Sequence, residues 1–385
     1  MLHLPLTRPQ LAELHEVIRG SHRARSRAAI LTTDHRVLVD RRSWLLDGQV
    51  EVDVTAEVTR SAACTLLDPD ARSGLDTEAP LDGSIALNRF LQLRRDIWLP
   101  HAEMWASIPL FTGPITGVTR AGPVIDIEAQ GKELLALQPI WTPITYKKGT
   151  RRVEIIEDLM RRRAGEFTFA IPPGWTARRT GSDWNLVRRI GDEAHTVWAR
   201  AQTQARLLGA DMFYDARGTL RARTRSTTAS WAVRAEDMAG PPTASETTSE
   251  IKNVVVVTGG TPEGGKKPIT AERALPDAHP WSPVRLGRRG VGRRIPEHVE
   301  DSGLVTQKAA NDLAKATLKR FEVGQVEMTV SMLPVYWLEP WDLITIDIDG
   351  VPHRTRAHKM TWSLSGDLMS FGHLRNYNPK VVRRR

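Results

Sequence analysis

Cysteine is almost absent from this sequence of 385 residues. The one cysteine, Cys64, excludes a disulfide framework and any cysteine-built zinc or iron–sulfur site. It lies in the β-type segment ACTLL, so we expect a small buried side chain rather than a nucleophile. We therefore expect a chain that does not depend on an oxidising compartment.

Long apolar runs are also missing. No stretch approaches the roughly 18 consecutive apolar residues of a membrane span, and the first ten residues lack the basic and then apolar pattern of a secretion signal. Hydrophobic residues make up 41% and charged residues 26% of the chain, the balance of a globular protein. The length predicts two or three domains.

Lysine is scarce, since only 11 of the 54 basic residues are lysines. The net charge of +9 favours a nucleic acid or an anionic surface as a partner. The arginines are scattered, however, with pairs such as Arg151–Arg152, Arg178–Arg179 and Arg188–Arg189, and a GC-rich coding genome also raises arginine over lysine. The densest stretch is Arg285 to Arg294, and nucleic-acid binding stays an alternative function.

Short β-type segments dominate both ends of the chain. A helix capped by Thr7 and ended by Gly20 comes first, and six or more short strands then follow before residue 145, which suggests a sandwich or small barrel. The C-terminal part has a strand in IKNVVVVTG, an irregular surface excursion at 259–296, a helix at 306–321 and further strands. We expect hairpin turns there at Asp349–Gly350 and Ser365–Gly366.

The middle of the chain has helical periodicity instead. Apolar residues recur every three or four positions over residues 151–164 and again from Asp192 to Leu208, where Trp198 lies in the apolar stripe. A β-hairpin should turn at Asp215 to Gly218. We expect Trp198 to anchor the core of this part.

No motif for chemistry is complete. Gly260 to Lys266 fits the spacing of a phosphate loop, but Lys267 stands where a Ser or Thr must ligate magnesium, and no helix follows. The closest histidine groupings, His101 with Glu103 and His353 with His358, lack helical metal spacing. The carboxylate pairs Asp68–Asp70 and Asp347–Asp349 are better explained as turns, and most of the 12 tryptophans as core or interface. We therefore expect no catalytic, cofactor-binding or metal-binding residues, and no enzyme.

The order of these features resembles the bacteriophage tail hub family, which includes baseplate hubs, late control protein D and siphophage tail-tip hubs. The resemblance covers most of residues 45–375, and it rests on the order and spacing of several short stretches. These are IPLFTGPITGVTRAGPVIDIEAQGKELLAL, with a Phe-x-Gly-x-Ile core from Phe111; the helix led by Val153; WARAQTQARLLGADMFYDARGTLRART; SEIKNVVVVTG; Asp301–Ser302 before a helix; and LPVYWLEPWDLITIDIDG.

The resemblance implies a β-rich α+β multidomain fold, with two antiparallel β-barrel domains of the tail-tube type and an α/β domain between them. The expected parts are an N-terminal helix or arm at 1–22, a first barrel at 23–145, a middle domain at 146–240, and a second barrel at 241–385 that carries the 259–296 loop and the 306–321 helix. The ending of the chain implies a hub without a C-terminal peptidase or lysozyme-like domain.

The function that the resemblance implies is structural. Three copies, each with two barrels, would form a pseudo-sixfold ring that joins the hexameric tail tube to the threefold tip around the DNA-delivery channel. Expected partners are two further copies, the distal tail ring or tube protein, the tape measure protein and tip or fibre proteins, with transient non-specific passage of DNA. The expected location is the virion tail tip, after assembly in the host cytoplasm. The alternative is a carbohydrate-binding or glycan-degrading tail-tip protein.

Overall fold

The computed structural model describes residues 1–41, 45–67, 85–172, 178–181, 183–186, 196–246, 252–262, 267–279, 281–283, 286–287, 290–301, 304, 306–322, 326–348, 350–366 and 368–375. Strands account for 43% of the chain and helices for 19%, which confirms a β-rich α+β protein. The helices are α1 Arg8–Val17, α2 Arg152–Asp158, α3 Val197–Leu207 and α4 Gln307–Glu322.

The strands are mostly short and antiparallel. They are β1 Ala24–Leu31, β2 Val37–Arg41, β3 Leu45–Asp53, β4 Arg60–Leu67, β5 Phe90–Leu99, β6 Met104–Ala121, β7 Val124–Gln130, β8 Ile144–Tyr146, β9 Phe169–Ala170, β10 Trp184–Leu186, β11 Asp211–Tyr214, β12 Leu220–Arg223, β13 Trp231–Val233, β14 Thr243–Glu246, β15 Val254–Gly259, β16 Thr270–Ala274, β17 Leu286–Gly287, β18 Gly290–Val291, β19 Pro296–Asp301, β20 Val326–Met332, β21 Leu343–Ile348, β22 Val351–Arg356, β23 Lys359–Ser363 and β24 Met369–Arg375.

The chain divides into two compact units. The first holds Met1–Pro242 and Val330–Gly372, and the second holds Thr243–Thr329 and His373–Arg385. The first unit thus takes in residues that the sequence analysis assigned to a second barrel. The reason is strand pairing, since β23 pairs with β3 near the other end of the chain.

One long sheet dominates the first unit, in the order β20-β24-β23-β3-β4-β7-β6-β5-β1-β2. Strand β6 belongs to two parts of it, because its first half pairs with β5 and its second half with β7. We call β2-β1-β5 with the first half of β6 sheet A, and the second half of β6 with β7-β4-β3-β23-β24 sheet B. Bulges in both pairings of β6 help the strand to bend.

The inward faces of sheets A and B share one hydrophobic core. Ile30 and Leu93 of sheet A and Val50 and Trp362 of sheet B all belong to it and have almost no exposed surface. Helix α1 closes it with Leu14 and begins, as expected, with a capping box between Thr7 and Gln10. The described strand order has end strands, so it forms an open sheet, and the two-barrel arrangement stays a prediction.

A second core lies in the middle of the first unit, where α2 and α3 pack together around Trp198. The expected apolar stripes of both helices are buried. Helix α3 begins at Val197 rather than at Asp192, because Thr196 has extended backbone angles and caps the helix through Ala199 N. Residues 192–195 lie outside the described residues.

The second unit has its own small core between α4 and the sheet β16-β15-β19. The expected irregular excursion at 259–296 is wrong in part, because Thr270–Ala274 pairs with β15 as an antiparallel strand. The buried Asn253 side chain holds the rest of this segment through Trp281 O, Arg293 O and Ile295 N. None of the described helices is both long enough and apolar enough to span a membrane.

Candidate functional site: a buried charge junction

Charged side chains with almost no exposure meet inside the first unit where the tip of the β11–β12 hairpin contacts sheet A. Arg60, the first residue of β4, donates to Glu339 Oε2 at 2.8 Å, and both side chains are only 3% exposed. Arg60 also donates to Leu110 O at 2.7 Å. The other oxygen of Glu339 accepts the backbone N–H of Ala216 at 3.2 Å. One ion pair therefore ties a strand, a turn and a hairpin tip together.

Burial strongly affects the charge of this pair. Loss of water raises the pKa of Glu339 to about 7, although the Arg60 guanidinium acts in the opposite direction. Glu339 is therefore a buried carboxyl that titrates close to neutral pH.

A second buried ion pair lies on the other side of the hairpin. The Lys132 ammonium contacts Glu166, donates to Gly218 O at 3.1 Å and lies 5.4 Å from the Tyr214 ring centroid. The neighbouring Glu133 accepts from Tyr214 N, and burial raises the pKa of this carboxyl as well. The β11–β12 hairpin is thus held by charged partners on both sides.

The expected turn at Asp215 to Gly218 is confirmed and forms the centre of this junction. Asp215 accepts from Arg217 N and Thr219 N at 3.0 Å, as an Asx turn does, and pairs with Arg221 at 2.8 Å. Gly218 has φ +71°. A Cβ on Gly218 would lie 3.1 Å from Lys132 Cδ and 3.2 Å from Thr112 O, so both conformation and space favour glycine.

The sequence showed the hairpin but not its charged partners. Lys132, Glu166 and Glu339 are far apart in sequence, and each looks like an ordinary surface residue. The only sequence signal for this site was an Asp-x-x-Gly turn, whose aspartate accepts hydrogen bonds from backbone N–H groups of the same turn. The resulting arrangement connects two cores of the first unit through two buried ion pairs, Arg60 with Glu339 and Lys132 with Glu166.

The structure separates the residues that were weighed for chemistry. Cys64 is buried as expected, and burial raises its pKa to about 12, which suppresses the thiolate. His353 lies in β22, whereas His358 follows that strand and packs edge-on against Trp341, with a pKa that burial lowers to about 4.

The phosphate-loop candidate begins in the connection between the antiparallel strands β15 and β16. Its residues 263–266 lie outside the described residues, as do Asp68, Asp70 and Asp349. Among the described residues no cluster of three or more potential metal ligands occurs. The turn at Ser365–Gly366 is confirmed between β23 and β24.

No family model matches this sequence, and no curated protein does. Solved structures do match it over nearly its whole length. A tail protein from Neisseria meningitidis MC58 aligns at a TM-score of 0.59 and 10% identity over 91% of this chain and 96% of that one. The 43 kDa tail protein of prophage MuSo2 from Shewanella oneidensis aligns at 0.60 and 11% identity, over 92% and 98%.

The chain has the fold of phage tail proteins. A third structure with this tail-protein fold, prophage tail protein gp18 from Listeria monocytogenes EGD-e, aligns at a TM-score of 0.51 and 10% identity over 92% of this chain and 96% of that one. Identities this low establish a shared fold.

Proposed function

We propose that this protein is a structural component of a phage tail tip or baseplate hub. The observation that carries the proposal is the match of nearly the whole chain to nearly the whole length of two tail proteins. A match over nearly the full length of both chains supports a structural role like that of these tail proteins. The virion is the corresponding location.

The proposed assembly is a homotrimer with two barrel-type domains per chain. Six such domains around one axis would let a threefold hub join a sixfold tube and surround the channel through which DNA leaves. Other tail proteins, among them the tube or distal ring, the tape measure protein and tip proteins, are the proposed neighbours. The exposed aliphatic residues Val37 and Leu38 on the end strand β2 support contact with another chain.

Mass photometry and negative-stain imaging of the purified chain test this assembly. We expect three copies in a ring with a central opening. A chain that is monomeric inside isolated tails would contradict the proposal.

We also propose that the protein acts without catalysis. The charged residues of the junction are buried and engaged with one another, so they present no reactive group to a substrate. Zymography on host cell wall should show no clearing, whereas a cleared zone that disappears with a carboxylate variant would favour the glycan-degrading alternative.

A further inference from the structure

The outward face of sheet A is rich in arginine. Side chains alternate along β1, so Arg25 and Arg27 point away from the core that Ala28 and Ile30 enter. Their neighbours on β5 are Asp96 and Arg94. We call this surface the arginine face; it consists of Arg23, Arg25, Arg27, Arg94, Trp98 and Trp105.

The tryptophans fix the geometry of two of these arginines. The Arg25 guanidinium lies 4.1 Å from the Trp105 ring centroid, and that of Arg23 lies 5.9 Å from both Trp98 and Trp105. A stacked guanidinium keeps its N–H groups in one plane, where they can bind a carboxylate. Arg23 is exposed and forms no ion pair with a described carboxylate.

The arginines of this face outnumber the acids beside them. Asp96 is completely buried and accepts from Arg25 at 3.0 Å, while Arg27 pairs with Asp40 at 2.5 Å. Four arginines thus stand against two aspartates, which leaves a surplus of two positive charges.

The outward face of sheet B has the opposite charge and a hollow shape. A trough of about 400 Å³ crosses it, with Ala63 and Thr361 among its lining residues. Asp47, Asp126 and Glu128 also line it, are exposed, and pair with none of the described lysines or arginines. Hydrogen bonds from Ser365 and from Gly48 N hold the pKa of Asp47 below its usual range, so it is ionised. We call this surface the acidic trough.

We infer that the arginine face of one copy docks in the acidic trough of a second copy of this chain. The two surfaces lie on opposite outer sides of one sandwich core, so they cannot meet in a twofold contact. They fit a head-to-tail contact, which closes into a ring when the rotation allows it. The inference rests on the proposed function and names the interface that would build the hub ring.

The second copy is favoured over nucleic acid because it satisfies both surfaces. DNA would neutralise the arginine face but would be repelled by the acidic trough. A second copy supplies carboxylates to the arginines and arginines to the carboxylates, which also steers the encounter.

Two charge-reversal variants test the interface. Variant one carries Arg23→Glu and Arg25→Glu, and variant two carries Asp126→Lys and Glu128→Lys. We expect each alone to be monomeric by mass photometry at concentrations where the unchanged chain forms rings. In a one-to-one mixture the unchanged arginine face of variant two meets the unchanged trough of variant one, and the two reversed surfaces also carry opposite charges, so mixing should restore the association that neither variant shows alone.

Matched controls separate charge from folding. Arg151→Glu with Arg162→Glu reverses two exposed arginines of the middle region and should leave the ring intact. Arg23→Gln with Arg25→Gln should weaken the ring with an unchanged circular dichroism spectrum, in case Arg25→Glu fails to fold over the buried Asp96.

Four other outcomes would each contradict part of the proposal. Rings that persist in both variants would overturn the interface and leave the hub proposal standing. Monomeric variants that do not pair on mixing would exclude a head-to-tail contact. Loss of DNA binding in variant one, with the ring unchanged, would make the arginine face a nucleic-acid surface. An unchanged chain that never self-associates at its highest soluble concentration overturns the interface, and its presence in purified tails then decides the proposed function separately.

Discussion

Buried charged side chains are the most unusual residues of the first unit. Arg60 with Glu339 and Lys132 with Glu166 lie at the same hairpin, and each of the four is less than 5% exposed. Removing one partner of such a pair leaves an uncompensated charge, which costs about 3–5 kcal/mol. These pairs are therefore weak evidence for high stability but strong evidence for one defined arrangement of the hairpin.

Glu339 should make stability depend on pH near neutrality. Its pKa in the folded chain, about 7, lies above the ordinary value of 4.5. The folded state binds more protons in that interval, so the contribution of Glu339 to the free energy of unfolding is present below about pH 4.5 and falls by about 3 kcal/mol as the pH rises through 7. Urea unfolding at several pH values should show this fall in the unchanged chain and a flatter profile in Glu339→Gln. Identical profiles would contradict it.

Gly218 should tolerate no side chain. Its positive φ and the close approach of Thr112 and Lys132 predict that Gly218→Ala lowers the free energy of unfolding by about 1–3 kcal/mol. Gly122→Ala is the matched control, because Gly122 also has a positive φ but has open space around it. Thermal unfolding should place Gly218→Ala below the control. Equal losses would mean that backbone conformation alone matters at Gly218.

Helices α2 and α3 each pack into the middle core through one apolar stripe. Val153, Ile156 and Leu159 of the α2 region face Trp198 and Ala201 of α3 in the same core. The stripes follow helical periodicity, so sequence predicted both the helices and their buried faces. In α4 the same periodicity predicts an inward face of Ala310, Leu313, Thr317 and Phe321. Ala310 is buried in the core and Leu313 and Phe321 pack against it, whereas Ala314 and Leu318 are buried as well. A helix face made of small residues fits more than one inward orientation, and packing against the sheet selects one of them.

Trp198 should be the main anchor of the middle core. Its side chain is 2% exposed and stacks on Tyr214 with ring centroids 5.7 Å apart. Trp198→Ala should lower the free energy of unfolding by about 3–5 kcal/mol, since it removes a large buried ring and leaves a cavity. Trp141, which is 63% exposed, gives a matched Trp→Ala control with a much smaller expected loss. If denaturant unfolding shows equal losses for the two, the facing of α3 is different from the one described.

The whole molecule contains two compact units, with two hydrophobic cores in the first and one in the second. A unit with a separate core is expected to open locally without unfolding the rest of the chain. The boundaries between the units fall after Pro242, just before β14, and inside the strands β20 and β24.

Selective disruption of the second core tests this independence. Ala314 is fully buried on the face of α4 that packs on the β16-β15-β19 sheet, so Ala314→Asp should unfold the second unit. Hydrogen exchange should then show lost protection of amides in β15 and retained protection in β4. Ala316 is exposed on the same helix, and Ala316→Asp should leave both protected. Loss of protection throughout the chain would show that the two units unfold as one.

Sequence alone determined what depends on near neighbours. The capped helix at Thr7, the Asp215–Gly218 turn, the stripes of α2 and α3 and the β-rich class follow from local conformational preference and from a repeat of two or of about four residues. Only the tertiary structure decided the pairing of β23 with β3, the bend of β6 and the burial of Arg60, Lys132 and Glu339. These depend on which distant segments meet, and a charged residue has the same appearance in sequence whether it faces water or a buried partner. The opposite charges of the two sheet faces arise in the same way, because register and packing select which alternate residues point outward.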